Sequence, residues 1–145
     1  PDFPFPDRRA RFHSVDTPVD DLSPGELRLM TIRSEGQFNT VVYEEQDRYR
    51  NQASRDVILM NREDIGMLGL RAGDRVTVSS EIGEISNIRV APYDIARSCA
   101  AMYYPEANVL VPNRVDAKSG TPAFKNVRIR LALGVAGKPF ASKQG

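Results

Sequence analysis

This 145-residue chain has one cysteine, one histidine and no tryptophan. A single thiol, Cys99, excludes an internal disulfide framework and any cysteine cluster for zinc or iron–sulfur. It lies in the apolar run Cys99-Ala100-Ala101-Met102, where a small buried hydrophobe is expected. His13 sits alone in a polar N-terminal stretch, which argues against a Cys–His or Ser–His nucleophilic pair. No catalytic or metal-ligating set emerges. No apolar run approaches the ~20 residues that span a bilayer. No leader is visible either, but the chain starts at Pro1 rather than methionine. It is expected to be a piece excised from a longer protein, so the missing leader carries no weight. Net charge is only +1, which argues against a dedicated nucleic-acid binder. Acids are missing altogether after Asp116, while Lys118, Lys125, Arg128, Arg130, Lys138 and Lys143 follow. Such a basic end suits a phosphate-bearing ligand or, more plainly, a solvated basic face. Asp16, Asp20, Asp21 and Glu26 crowd the opposite end without a basic neighbour in sequence.

What is present is a soluble globular composition, 41% hydrophobic and 27% charged, long enough for one domain. The stretch Asn61–Ile85 (NREDIGMLGLRAGDRVTVSSEIGEI) organises it. Asn61 can cap a helix whose first turn holds Glu63 and Asp64, where the free N–H groups and the dipole favour negative charge. Ile65 and Leu68 give that helix one apolar face, and Gly69 stops it by entering the left-handed conformation. Leu70-Arg71-Ala72-Gly73-Asp74 turns into a strand over Arg75–Ser80, with Val76 and Val78 alternating against Thr77 and Ser79, and Gly83 turns the chain back. A short helix leading through a Gly-Asp turn into a hairpin points to a small barrel. Gly66, Gly69 and Gly73 lack the dinucleotide-fold spacing, and no phosphate-binding P-loop occurs.

In chain order, residues 1–26 are expected as an extended arm anchored by Phe3, Phe5 and Phe12, loosely held or paired with another copy. Residues 27–133 are expected as the barrel and 134–145 as a tail. Leu27–Arg33 is a strand candidate with Leu29, Thr31 and Arg33 on one face. Val41-Val42-Tyr43 follows a polar loop, and Glu44–Gln52 is charged, an exposed short helix or loop. Val57–Met60 is a continuous apolar run expected to be buried on both faces. Ala100–Tyr104 and Val109–Val111 are expected as short strands either side of Pro105-Glu106-Ala107-Asn108. Asn126–Leu133 alternates, with Val127, Ile129, Leu131 and Leu133 inward. The sum is a mainly β protein of six or seven short strands, with one or two short helices, in a closed barrel or sandwich.

Polar function concentrates between the first two apolar segments. Thr31, Arg33, Ser34, Gly36, Gln37, Phe38 and Asn39 offer a guanidinium fork, neutral donors, a glycine for close approach and an aromatic for stacking. That mixture fits a nucleotide, although an ordinary surface loop has the same composition. Gly120-Thr121-Pro122-Ala123-Phe124-Lys125 is a second candidate, against the simpler reading of a proline turn entering an edge strand.

Three blocks, LMTIRSEGQFNT, NREDIGMLGLRAGDRVTVSSEIGEI and ANVLVPNRVDAKSGTPAFK, in this order and spacing, resemble the C-terminal domain of molybdopterin-dependent oxidoreductases, and within these formate-dehydrogenase-like large subunits. Phe3–Phe12 (FPFPDRRARF) is similar to the segment that precedes this domain, with Arg8 where glycine is usual. The resemblance implies a double-psi β-barrel. It implies a molybdopterin guanine dinucleotide with molybdenum or tungsten, bound jointly with upstream domains of the same polypeptide. Cofactor-binding positions carried over are Thr31, Arg33, Ser34, Gly36, Gln37, Phe38, Asn39, Asn108, Phe124 and Lys125. It further implies a cytoplasmic parent enzyme that can partner an iron–sulfur electron-transfer subunit, and a fragment without catalysis of its own. A second function is open to such a barrel, namely a protein-recognition module, but that would need no polar nucleotide loop. Self-processing decarboxylases of related shape need a Gly-Ser pair, which this chain lacks.

Overall fold

The helix expected after Asn61 forms as α1 (Arg62–Met67), and its two ends follow from the residues named. The Asn61 side chain accepts the Glu63 N–H at 2.9 Å, satisfying one orphan donor of the first turn. At the other end Gly69 has φ +68°, and Gly69 and Leu70 donate to the Gly66 and Ile65 carbonyls. This is a Schellman closure, and it drops Leu70 beside Ile65 in the core. The computed structural model describes residues 3–14, 16, 21–34, 37 and 44–134.

The strands are β1 (Leu27–Ile32), β2 (Val57–Met60), β3 (Arg75–Ser79), β4 (Glu84–Pro92), β5 (Cys99–Tyr103) and β6 (Val127–Leu133). They close in the order β1-β5-β2-β4-β3-β6. Two neighbouring pairs, β1–β5 and β2–β4, are parallel; the others are antiparallel. Exchanging β1 with β4, β2 with β5 and β3 with β6 reproduces every pairing. The barrel is therefore two interlocked three-strand halves, a six-stranded double-psi barrel with one α-helix and one 3₁₀ helix. Val57–Met60 is buried along its whole length, as the unbroken apolar run predicts. Ile58 and Met60 join the main core with Val76, Val90 and Met102, while Val57 and Leu59 pack with Ala91, Ala101 and Tyr103 in a second cluster.

Several expectations are corrected. Val109–Val111 is not a strand; Glu106–Leu110 is a 3₁₀ helix. The apolar residues that decide its conformation are Ala107 and Leu110, three apart and both fully buried, whereas Val109 is exposed. A period of three suits one 3₁₀ turn and defeats alternation. Leu133 is 61% exposed at the end of β6, beyond the reach of the core that holds Val127 and Ile129. Arg33 lies past the end of β1 and is exposed rather than continuing the Leu29–Thr31 face. Cys99 is only half-buried. Of the two readings of 44–52 the loop forms, as a turn closed by an Asp47–Gln52 bridge, but Asp47 within it is buried rather than exposed. The expected segment Val41-Val42-Tyr43 lies outside the described residues. Arg8, where the resemblance has glycine, stands in the left-handed region at φ +54°. Phe12 in the same arm is almost fully exposed, and the Phe5 ring carries Arg11 at 4.7 Å.

The acidic and basic ends meet. Arg128 pairs with Asp21, and Arg130 with Glu26 at 2.9 Å, so Asp21 and Glu26 lie along the basic strand β6. These pairs are half-exposed and contribute little individually. They fix where the segment runs.

Gly83 is needed for a reason the turn alone does not reveal. A Cβ there would stand 2.5 Å from the Val109 carbonyl oxygen and 3.3 Å from Val109 Cγ2. The hairpin tip therefore rests on the backbone of the 3₁₀ helix. Gly83→Ala is expected to destabilise the fold by about 1–3 kcal/mol through overpacking. A urea midpoint unchanged by the substitution would contradict that contact.

Candidate functional site

Where β1 ends, the chain brings together two segments almost a hundred residues apart. Thr31 is buried, its N–H donates to Phe124 O at 2.9 Å, and Lys125 Nζ donates to Thr31 O. The Phe124-Lys125 pair thus brackets the last residues of β1, with Phe124 partly buried against the core. Arg33 and Asn108 are exposed. A groove of about 1110 Å³ runs beside β6, and its lining includes Lys125, Arg128 and Arg130 but neither Arg33 nor Asn108. Groove and loop mouth meet at Lys125.

Beneath the loop lies a polar knot. Ser34 and Gln37 are buried and spend their polar atoms internally. Ser34 N–H donates to Gln37 Oε1 at 3.2 Å, Gln37 N–H returns to Ser34 O, and Gln37 Nε2 donates to Tyr104 O at 3.1 Å. Arg55, only 4% exposed, sits under both. Its Nε and Nη2 take the Glu106 carboxylate as a fork, at 2.7 and 3.0 Å. Its remaining donors reach Ser34 Oγ at 2.7 Å, Glu44 O at 3.5 Å and Tyr104 O. The Tyr103 ring lies 5.1 Å from the guanidinium carbon.

A second link closes the loop's far end. Tyr103 donates its phenol to Asp47 Oδ2 at 2.8 Å, Arg50 pairs with the same oxygen at 2.6 Å, and Arg50 also donates to Arg33 O. Burial alone would raise the Asp47 carboxyl, but hydrogen bonds from Arg50 and Tyr103 outweigh it and hold it below the usual range. Burial, reinforced by that carboxylate, pushes the Tyr103 phenol well above its ordinary value. Asp47 is thus an acceptor and Tyr103 a donor throughout the physiological range.

Of the sequence-derived residues, Thr31, Arg33, Ser34, Gln37, Phe124 and Lys125 surround the end of β1. Asn108 stands on the 3₁₀ helix tied to it through Glu106. Gly36, Phe38 and Asn39 lie outside the described residues. Arg55, Asp47, Arg50 and Glu106 escaped sequence reasoning: each is a charged residue in a charged stretch, and only the partner's position in space shows its burial. Among the described residues no group of three His, Cys, Asp or Glu side chains could hold a metal. No helix among them is long and apolar enough to cross a membrane.

Comparison with known proteins bears on the family and the fold. Residues 27–128 match the family described as "Molydopterin dinucleotide binding domain". An uncharacterized oxidoreductase of Mycobacterium tuberculosis is 40% identical over 119 residues, which cover 74% of this chain and 15% of that protein. Protein YdeP of Escherichia coli K12 is 29% identical over 115 residues, 73% of this chain and 15% of YdeP. The chain thus spans about 15% of the length of the curated relatives it matches. Among solved structures, acetylene hydratase from Pelobacter acetylenicus superimposes with a TM-score of 0.55 at 14% identity, over 74% of this chain and 18% of that one. That likeness concerns the fold.

Proposed function

This chain belongs to the molybdopterin dinucleotide-binding domains, and from that premise we infer that it grips the guanosine diphosphate end of a molybdopterin guanine dinucleotide. We read it as the C-terminal domain of a cytoplasmic, formate-dehydrogenase-like molybdenum or tungsten oxidoreductase. The observation that carries this is the junction at the end of β1, where Lys125 is fastened to the Thr31 carbonyl next to the exposed fork of Arg33. Two cations of different geometry, together with the exposed amide of Asn108 on the 3₁₀ helix, form a donor set that fits a pyrophosphate and a base edge. When bound, the cofactor supplies redox chemistry at its metal end, which upstream domains of the parent would enclose. An iron–sulfur subunit would suit such a parent as electron partner.

The work of this chain is positional. Arg33 takes the pyrophosphate bidentately, Lys125 neutralises it as a point charge, and Asn108 reads the base. Holding one end of a long cofactor reduces the freedom of the other, so grip here serves orientation elsewhere. The test is an NMR titration of the 145-residue chain with guanosine diphosphate. Amides of residues 31–39, Asn108 and Lys125 should shift, weakly, because only part of the natural ligand is offered. Arg33→Ala should cost about 1.5–3 kcal/mol of binding, the loss of a charge-assisted hydrogen bond, and Lys125→Ala less. Shifts clustered on any other face would refute the assignment.

A further inference from the structure

The internal two-fold of the barrel relates two arginine–carboxylate bridges. Arg97 lies two residues before β5 and bonds Asp64, on the helix that follows β2. Arg55 lies two residues before β2 and bonds Glu106, on the helix that follows β5. The architecture therefore places a bridge at both equivalent points, yet the two differ. The Arg97 side chain is 49% exposed and, besides Asp64, pairs with Glu63 on the same helix. The Arg55 side chain is 3% exposed, and three of its five N–H donors leave the helix for Ser34 Oγ, Glu44 O and Tyr104 O. What distinguishes it from its symmetry mate is its attachment to the loop after β1. The barrel itself does not require that attachment, since the other half closes without it.

We propose that Arg55 is the positioning residue of the nucleotide site, a clamp that locks the loop opening at Arg33 to the helix carrying Asn108. The proposal rests on the dinucleotide reading above. All five donors of Arg55 have acceptors within the protein, so it acts on ligand only through the segments it joins. The planar fork matters: a lysine keeps the charge but concentrates three donors on one nitrogen, and cannot span Glu106, Ser34 and Tyr104 together. With the clamp intact, the exposed Arg33 and Asn108 keep one spacing. Without it, each segment meets the ligand independently.

The experiment follows guanosine diphosphate binding by NMR in the 145-residue chain, comparing wild type with Arg55→Lys, Glu106→Gln and the double variant. In wild type, amides of Arg33, Ser34 and Asn108 should move along one binding curve. In Arg55→Lys the affinity should fall about tenfold, the order expected for a charge-assisted bond. The Asn108 amide should stop tracking the loop, while β3 and β4 amides keep their positions. That loss of concerted response is a signature that uniform loosening of the fold would not produce. The double variant should lose no more than the worse single, because both substitutions open the same clamp. Should Arg55→Lys fail to fold, Glu106→Gln carries the same readout. Wild-type affinity and a concerted response in the variants, or additive losses, overturn the clamp and leave the site standing. Wild-type shifts on another face overturn the site and the clamp together.

Discussion

Glu106→Ala should cost about 3–5 kcal/mol of folding stability, far more than a truncation on a short surface helix would ordinarily do. The Arg55 guanidinium it leaves behind is buried, with 3% of its side chain exposed, and cannot turn to water. Its Nε and Nη2 would both lose the Glu106 carboxylate, which they hold at 2.7 and 3.0 Å. A charge taken out of water and then deprived of its counter-ion is costly because desolvation is no longer offset by attraction. The side chain of Glu106 is 31% exposed, so water can enter where it stood, and the lower part of the range is expected. Arg55→Met with Glu106→Leu should be milder than Glu106→Ala alone, because no charge then remains buried. Urea unfolding of the three proteins, read by backbone circular dichroism, measures both differences. A loss below about 1 kcal/mol for Glu106→Ala would mean that the bridge is solvated in solution.

Much of the barrel was legible because its signals are local. The cap at Asn61, the stop at Gly69 and the alternation of Val76 and Val78 each depend on residues within a turn or a strand, and all form as expected. The unbroken run Val57–Met60 also told its burial, since a strand enclosed on both faces has no reason to alternate. The 3₁₀ helix at Glu106–Leu110 was misread because β-branched residues at 109 and 111 carry a strand preference. The burial of Ala107 and Leu110 against the barrel overrides it. The candidate site was legible as a polar loop and a Phe-Lys pair, and their meeting at Thr31 is a consequence of β1 and β6 being neighbours in the closed sheet. Its foundation was hidden. Arg55 stands between Ser54 and Asp56 in a stretch that resembles any solvated linker, and Asp47 lies in a run of charge. Which of two charged residues goes inside is settled by a partner fifty residues away, and no local pattern records that.

The internal two-fold explains why one end of the barrel can specialise. After β4 the connector is held down on α1: Asn61 donates to Ile95 O at 2.8 Å, and Asp64 accepts the Ser98 N–H. After β1 the equivalent connector is the longer loop that carries the candidate ligand residues, and Arg55 rather than an exposed bridge fastens it. One half supplies a plain closure and the other a platform, from the same strand geometry. On the proposed reading, function enters at the loop, without change to the sheet.

Ile58→Ala should destabilise the chain by about 2–5 kcal/mol, in the upper half of that range. Ile58 is fully buried on β2, facing Val90 on one neighbour and Met102 on the other in the ladder. It lies in the main core with Val76 and Ile129, so the residues around it come from strands on several sides of the barrel. An open layer can settle onto a missing side chain, but a closed ring of six strands is hydrogen-bonded all the way round. It cannot contract at one point without breaking pairings. The cavity therefore persists, and its volume adds to the lost transfer energy. Ile58→Val, which removes one methylene and keeps the β-branch, should cost only about 0.5–1.5 kcal/mol. Denaturant titrations of both variants give the comparison, with an unchanged slope required before midpoints are compared. Equal small losses for valine and alanine would show that the barrel relaxes around the site, and would remove the argument from closure.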